Sequence, residues 1–349
     1  MKPNHTRVSP NPNKTMYKTL SGLPPDDSPI EENSAMTSFR RFYFLIIAVA
    51  LTTFAAQNAG AQVRTPRPSQ KASVTQTIGV TDVTITYSRP GVKGRKIWGD
   101  ALPTQEAKGE ATLDDQNARP KDAPIVPWGH AWRTGANEAT QFVVTDDVLI
   151  NGQKLPAGSY SLHTVPNKDE WTIIFNSVAN QWGSFNYDPT KDTLRVKAKA
   201  ETTSDNQEWL AYSFDPVTDN AAQVNIRWER LRVPFKVEVP DVKALTLQKA
   251  RAAVAAAKPD DWRTPFQAAS YILSGDDKTN AEALGWLEQS LKVRETYQSL
   301  ALKARVLAAQ GKTAEAVVLG EKAVVLGKEA KANTANLEKD IAQWKAKKA

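Results

Sequence analysis

The sequence of 349 residues predicts an antiparallel, all-β sandwich over residues 62–240, followed by an α-helical domain over residues 241–349. Several short segments of the first part alternate apolar and polar residues, which is the pattern of strands with one buried face. Beyond residue 241 the pattern changes to alanine-rich segments with helical spacing, interrupted by glycine and proline. Since 41% of the residues are hydrophobic, each part can build its own core.

The residues before this fold predict export. Residues 1–35 are rich in proline, asparagine and serine, so we expect a non-native or disordered extension before a true start at residue 36. In residues 36–61, Arg40 and Arg41 precede an apolar run that ends in small residues at Ala61. The run is shorter than the roughly 20 apolar residues of a membrane span. It predicts a signal peptide cleaved near Ala61 and a periplasmic or secreted protein without a stable membrane anchor.

The composition of the chain excludes several classes of site and partner. The chain has no cysteine, which excludes disulfides, thiolate catalysis, cysteine-based metal sites and a lipoprotein anchor. The net charge is +7, but residues 62–240 contain equal numbers of basic and acidic residues. The excess of positive charge lies mainly in the helical part, where it is spread along the chain. No nucleic-acid partner is therefore predicted.

Strand patterns begin near residue 81. Val83, Ile85 and Tyr87 alternate with threonines, as in a half-buried strand. The same alternation recurs in four later groups: Leu194/Val196/Ala198, Leu210/Tyr212/Phe214, Val224/Ile226/Trp228 and Val233/Phe235/Val237/Val239. Short strands separated by turn signals favour a sandwich or barrel.

Turn residues organise the middle of this domain. Asn151-Gly152 is the dipeptide that a two-residue type I′ hairpin turn prefers. Two further reversals are expected at residues 156–158 and 167–170. The segment 142–176 is therefore predicted to be a meander of successive strands.

Two stretches lack a periodic pattern. Residues 63–70 contain two prolines and predict a linker after the signal peptide. Residues 100–125 are polar and almost free of large apolar side chains, so we expect a mobile surface insertion.

Helical segments make up the rest of the chain. Their predicted bounds are 244–258, 262–273, 281–294, 297–309, 313–327 and 336–347. Spacing around Gly311 resembles a tetratricopeptide repeat, with small or apolar residues at Ala304, Leu307, Ala316 and Ala323. Gly320 and Lys328 depart from that pattern. About two units are present, fewer than the roughly three of a free-standing array. We therefore expect the tail to pack on itself or on the β domain and to be available for a protein partner.

The segment 126–142 concentrates polar and aromatic residues and is the candidate site. Arg133 and Glu138 are close in sequence and oppositely charged. They can form an ion pair that fixes an irregular loop together with Asn137. Alternatively, the three side chains can form a recognition pocket for an acidic group or for hydroxyls.

Three tryptophans lie beside polar residues: Trp128, Trp132 and Trp182. Each can belong to the core, which is the ordinary place for tryptophan. Alternatively, they can form an aromatic platform for a sugar, with Asn180, Gln181 and Asn186 as hydrogen-bonding partners.

A basic loop contains Lys93 and Arg95. It can be a solvated turn, or it can fold over Arg133 and close a pocket for an acidic ligand.

His130 and His163 are the two histidines after the signal segment. With Glu138 they could form a two-histidine, one-carboxylate metal site, or His163 and Glu138 could act as acid and base. No helical ligand spacing, nucleophile elbow or P-loop is present. No metal or cofactor is predicted.

Four motifs in order resemble one bacterial family. They are SRPGVKGRKIWG (88–99), VPWGHAWRTGANEAT (126–140), INGQKLPAGSYSLHTVP (150–166) and NQWGSFNY (180–187). The family is domain of unknown function 2911, found in exported proteins of Bacteroidetes-like bacteria. The resemblance covers roughly residues 62–240 and implies an exported β domain, but it implies no activity.

Together these observations predict a non-enzymatic protein. We expect the β-sandwich to bind a small or polymeric ligand, such as a sugar or an acidic group, while the helices contact protein. Two alternatives stay open: a hydrolase that uses Glu138 and His163, and a structural envelope protein.

Overall fold

The computed structural model describes residues 65–102, 121–275, 277 and 279–346. The predicted extension, signal peptide and cleavage site lie outside these ranges, as does most of the predicted insertion 100–125. Within the described ranges, no helix combines the length and apolar character needed to cross a membrane.

The described residues form twelve strands and six α-helices. The strands are β1 (Gln70–Ile78), β2 (Thr81–Arg89), β3 (Trp98–Gly99), β4 (Val126–Pro127), β5 (Thr140–Val144), β6 (Val148–Ile150), β7 (Gln153–Leu155), β8 (Gly158–Val165), β9 (Glu170–Asn176), β10 (Asp192–Lys199), β11 (Glu201–Val217) and β12 (Ala221–Glu238). The helices are α1 (Val242–Ala256), α2 (Arg263–Leu273), α3 (Ala281–Val293), α4 (Tyr297–Ala309), α5 (Thr313–Glu329) and α6 (Ala335–Ala346).

Two antiparallel sheets form the first part, which confirms the predicted sandwich. One sheet has the order β1-β2-β5-β8-β9-β10, and the other has the order β11-β12-β6-β7. A short parallel pair, β3 and β4, lies beside them. The core between the sheets contains large side chains without exposed surface, among them Ile85, Phe142, Phe175 and Trp228. Burial of these apolar surfaces is the main favourable contribution to folding.

The predicted hairpin turn is confirmed. Asn151 and Gly152 have φ angles of 47° and 83°, as a type I′ turn requires. The predicted meander over residues 142–176 is wrong, however. Strand β5 pairs with β8, while the hairpin β6-β7 joins the other sheet beside β12. Alternation shows that a strand has a buried face, but it does not show which of two facing sheets contains the strand.

Tyr160 fixes the return of the chain from β7 to β8. Its hydroxyl donates to the carbonyl of Pro156 at 2.9 Å, and its ring is buried. This geometry is the tyrosine corner known from sandwich domains.

Strand β12 joins two segments that the sequence presents separately. Its large buried apolar residues are Val224, Ile226 and Trp228 in the first half, and Val233, Phe235 and Val237 in the second. Glu229 lies between them with a φ of 53°, and the pairing with β11 shifts register there. The left-handed backbone at Glu229 changes the alternation of β12, so the same face of the strand points to the core on both sides of it.

The helices lie within about two residues of their predicted bounds. Helices α4 and α5 pack as a pair around Gly311, which has a φ of 81°. Ala304, Ala316 and Ala323 are fully buried, so small residues allow close packing as the repeat spacing predicts. A Cβ on Gly320 would lie 2.9 Å from Ile341 Cγ1. Helix α6 therefore packs closely on Gly320, one of the two positions that depart from the repeat pattern.

Helix α1 connects the helices to the sandwich. Its N-cap, Asp241, accepts from the amide of Ala244 at 2.8 Å. Val242 and Leu245 pack against the sandwich core. Lys249 Nζ donates to Asp146 Oδ2 at 2.6 Å. The tail thus contacts the β domain through an apolar patch and an ion pair.

Candidate functional site

The segment between β4 and β5 is held on both sides by backbone contacts. Trp132 N donates to Thr164 O on β8 at 2.8 Å. Glu138 forms an isolated bridge with Trp182. Asn137 has a φ of 60°, its side chain donates to Ser69 O at 3.2 Å, and its carbonyl accepts from Gly183 N. Asn137 therefore fixes the loop, as one of the two sequence-based interpretations proposed.

The three candidate tryptophans lie in three different environments. Trp132 is only 6% exposed, stacks on Trp228 with ring centroids 5.8 Å apart, and donates through Nε1 to Gly135 O. Trp98 and Trp171 complete this aromatic cluster. Trp132 therefore packs in the core. Its ring is not available for the ligand binding that the sequence allowed, because burial leaves no ring face exposed.

Trp128 is half-buried and stacks on Trp98 at 5.8 Å with an interplanar angle of 8°. It borders an open surface cavity with Asp169, Glu170 and Lys197. Trp182, in contrast, is 56% exposed and borders another cavity. Trp128 and Trp182 therefore border different cavities and do not form one aromatic platform, the alternative that the sequence allowed.

Glu138 has a different partner from the expected one. Its Oε1 accepts from Arg67 Nη1 at 2.6 Å, with both side chains about half exposed. Arg133 is half-buried, and its carbonyl accepts from Thr140 N. The expected pairing of Arg133 with Glu138 is thus wrong. The strand that follows Arg67 brings it beside Glu138, although 71 residues separate the two in sequence.

The basic loop contacts β11. Lys93 N donates to Glu208 Oε1 at 2.9 Å, and Lys93 Nζ lies 5.4 Å from the ring of Trp209. Arg95 donates to the carbonyls of Gly91 and Val92. Neither Lys93 nor Arg95 lines the cavity beside Trp182. Lys93 and Arg95 are exposed, and local hydrogen bonds and β11 hold the loop, which favours the solvated turn of the two sequence-based interpretations.

His163 lies beneath the loop that connects β9 and β10. It has no exposed surface, and its ring lies 4.9 Å from that of Tyr187. A general base must contact the proton that it abstracts, and a ligand outside the protein cannot reach this imidazole. His130 is half-buried. Among the residues that the structure describes, no three histidines or carboxylates group as metal ligands.

The cavity beside Trp182 has a volume of about 350 Å³. Its floor is the outer face of the six-stranded sheet, where Thr86 pairs with Gln141 and Gln141 pairs with Ser161. Its wall is the loop with Asn180 and Trp182. The lining residues used below are Lys71, Thr86, Glu138, Gln141, Gln181 and Trp182.

Hydrogen bonds hold this wall in place. Gln181 Nε2 donates to Ser161 Oγ at 2.9 Å and to Val178 O at 3.0 Å. Gln141 Nε2 donates to Asn180 Oδ1. Floor and wall are therefore joined by side-chain amides, and this preorganises the cavity.

Two oxygen acceptors of the cavity residues lack a donor. Glu138 Oε2 and Gln181 Oε1 are buried, and neither has a hydrogen-bond partner in the described part of the chain. A buried acceptor without a partner carries a desolvation penalty of about 1–3 kcal/mol. Both oxygens have almost no accessible surface, so a ligand that supplies O–H or N–H groups removes this penalty only when the side chains turn towards the cavity.

Glu138 is ionised near neutral pH. Burial by itself would raise the pKa of its carboxyl, but the Arg67 hydrogen bond and the positive charges of Arg67 and Lys71 lower the pKa below its usual value. A catalytic general acid needs the opposite shift. Glu138 is thus suited to accept hydrogen bonds, not to donate a proton.

Sequence reasoning missed Arg67, Lys71 and Gln141. Arg67 was assigned to the linker, and residues 70–78 were not predicted to be a strand, although Ala72, Val74 and Ile78 alternate with polar residues. Gln141 does occupy the outward position of a strand pattern. That signal marks a solvent-facing side chain but not its neighbours on other strands.

Comparison with protein families gave one match. Residues 69–237 match the family model described as "Protein of unknown function (DUF2911)". The matched residues extend from β1 to the end of β12, so they confirm the predicted resemblance for the β domain. Comparison with curated proteins gave no match, and neither did comparison with solved structures. The family description assigns no activity.

Proposed function

We propose that the β domain binds a polyhydroxylated ligand, a carbohydrate, without chemical conversion, in the cavity beside Trp182. The observation that carries this proposal is the pair of unpartnered acceptors, Glu138 Oε2 and Gln181 Oε1, next to an exposed indole. The apolar face of a sugar ring can stack on Trp182 while its hydroxyls donate to these oxygens, once the two side chains turn towards the cavity. Sites for small ligands combine apolar walls with a few placed polar groups in this way.

The geometry favours binding over hydrolysis. Hydrolysis through Glu138 and His163 would need both groups to contact one substrate. His163 is enclosed beneath the loop, and Glu138 is held as a carboxylate by Arg67. These observations support a binding site. They do not support an acid–base pair formed by Glu138 and His163.

A binding experiment tests this proposal. Isothermal titration with a panel of soluble oligosaccharides is expected to find a ligand whose affinity falls at least about tenfold in Trp182→Ala, equivalent to about 1.4 kcal/mol. Phe185→Ala is the matched control, since Phe185 is an exposed aromatic of the same loop that does not line the cavity. Equal loss in both variants, or no binding by any member of the panel, would contradict the proposal.

We further propose that this site works outside the cytoplasm and that the helices contact protein. The signal-like segment over residues 36–61 supports export. Val318 and Val325, which are exposed on one helix, support a protein contact. Intact-mass analysis of the native protein should give a mature chain that begins near Gln62.

A further inference from the structure

We infer that the ligand is an acidic saccharide, one that carries carboxylates as uronic acids do, and that Arg67 and Lys71 select it. This inference rests on the proposed function and adds the charge of the ligand. It depends on the two cations that the fold brings to the cavity.

Arg67 lies beside two residues that line the cavity, Glu138 and Trp182, with most of its donors unused. Nη1 donates to Glu138 Oε1 at 2.6 Å, and the guanidinium carbon lies 6.0 Å from the centroid of the Trp182 ring. Nε and Nη2 have no hydrogen-bond partner among the described residues. These two groups form the edge of a guanidinium that binds a carboxylate through two parallel hydrogen bonds. Arg67 can therefore bind a ligand carboxylate without releasing Glu138.

Lys71 supplies a second positive charge. It lies on β1 opposite Ser88, and its side chain lines the cavity. In the described part of the chain its ammonium forms no ion pair and no hydrogen bond. Its charge nevertheless acts within the site, since it contributes to lowering the pKa of Glu138. A compact ammonium of this kind is free to pair with an anion.

The charge balance of the site is positive. Among the described residues that line the cavity, Glu138 is the one carboxylate, and Arg67 already compensates it. Lys71 remains uncompensated, so a neutral sugar would leave a cation facing the bound ligand. A saccharide with a carboxylate would neutralise it and would still offer hydroxyl donors to Glu138 Oε2 and Gln181 Oε1.

Other anions are less complementary to these groups. A phosphate dianion would bring two negative charges close to the Glu138 carboxylate, and it has few donors for the unpartnered acceptors. A saccharide carboxylate brings one charge together with several hydroxyls. Inorganic phosphate is therefore a useful competitor in the test.

The experiment compares uronic oligosaccharides with their own methyl esters. Trimers of galacturonate, glucuronate and mannuronate are titrated into the full chain, each beside its fully esterified form, which keeps the hydroxyls and removes the charge. We expect at least about tenfold tighter binding of one acid than of its ester, and weaker binding when NaCl is raised from about 50 to 500 mM. Lys71→Gln and Arg67→Gln are each expected to abolish the preference for the acid.

Lys339→Gln is the matched control, because Lys339 is an exposed lysine of α6. It should keep the wild-type preference. Equal binding of acids and esters that still depends on Trp182 would overturn this inference and leave the proposed function standing. Binding of neither form would overturn both. Millimolar inorganic phosphate is also tested as a competitor. If it competes as strongly as the uronate trimer, the site binds anions without specificity, and the inference is overturned.

Discussion

Residues of one type can have opposite roles in this protein, and their burial decides which role each has. Trp132 and Trp182 both lie beside polar residues in the sequence. The first packs among Trp98, Trp171 and Trp228, and the second presents its ring to a cavity. A tryptophan in the core contributes by burying apolar area, whereas an exposed one is available to a ligand.

This difference predicts different costs of truncation. Trp132→Ala should lower the free energy of unfolding by about 3–5 kcal/mol, because it leaves a large cavity in the core. Trp182→Ala should change it by less than about 0.5 kcal/mol, since the ring is exposed. Urea denaturation followed by circular dichroism measures both. Similar losses in the two variants would show that the assignment to core and cavity is mistaken.

At the scale of an element, β12 shows how one residue can preserve a buried face. The strand spans 18 residues, and an uninterrupted alternation would turn its second half outward. The positive φ of Glu229 changes this alternation, so Val233 and Phe235 stay in the core. A left-handed conformation costs a residue with a Cβ about 1–2 kcal/mol. Packing of the second half of the strand offsets that cost.

Substitution at Glu229 tests this explanation. Glu229→Gly should leave the free energy of unfolding unchanged or raise it by up to about 1 kcal/mol, because glycine adopts positive φ without strain. Glu229→Val should lower it by at least about 1 kcal/mol, since a β-branched side chain is most strained there. Glu229→Ala serves as the control for loss of the carboxylate. If the valine variant is as stable as the glycine variant, the left-handed backbone at residue 229 is not what keeps Val233 and Phe235 buried.

At the scale of the whole molecule, helix α1 joins the helices to the sandwich. A Cβ on Gly79 would lie 2.5 Å from Val242 Cγ1, so glycine is needed there for close approach. Lys249 donates to Asp146 and to Val80 O. Burial would raise the pKa of Asp146, but hydrogen bonds from Lys249, Thr81 and Thr145 outweigh it and lower the pKa.

The stability of this junction should therefore depend on pH. Because the pKa of Asp146 is lower in the folded protein than in the unfolded chain, its contribution is complete above about pH 4 and is lost as the pH falls through the lowered value. Lys249→Met should reduce the free energy of unfolding at pH 7 by up to about 1 kcal/mol. As the pH falls through the lowered pKa of Asp146, the deficit of the variant should shrink to the part that comes from the lost hydrogen bond to Val80 O.

Urea denaturation at pH 7 and near pH 2 measures this difference, and Lys339→Met provides the control. A deficit in Lys249→Met that persists unchanged at low pH would show that the ion pair is not its source.

Local patterns predicted most of the fold but only part of the site. The hairpin at Asn151-Gly152 and the helix bounds follow from the immediate neighbours of each residue, so they could be predicted. The candidate site was placed near Glu138 and Trp182, and both do line one cavity. Its cations could not be found, because Arg67 and Lys71 reach Glu138 only through the pairing of β1 with β2 and of β2 with β5.

Four features could be predicted from the order of the residues: the two-part layout, the alternation of the strands, the helices and the resemblance to the family of unknown function. These depend on interactions between residues close along the chain. Only the tertiary structure decided that Trp132 is buried, that Arg67 pairs with Glu138, and which oxygens of the cavity lack a donor. Contacts of this kind join residues from different strands, and local periodicity carries no information on which strands become neighbours.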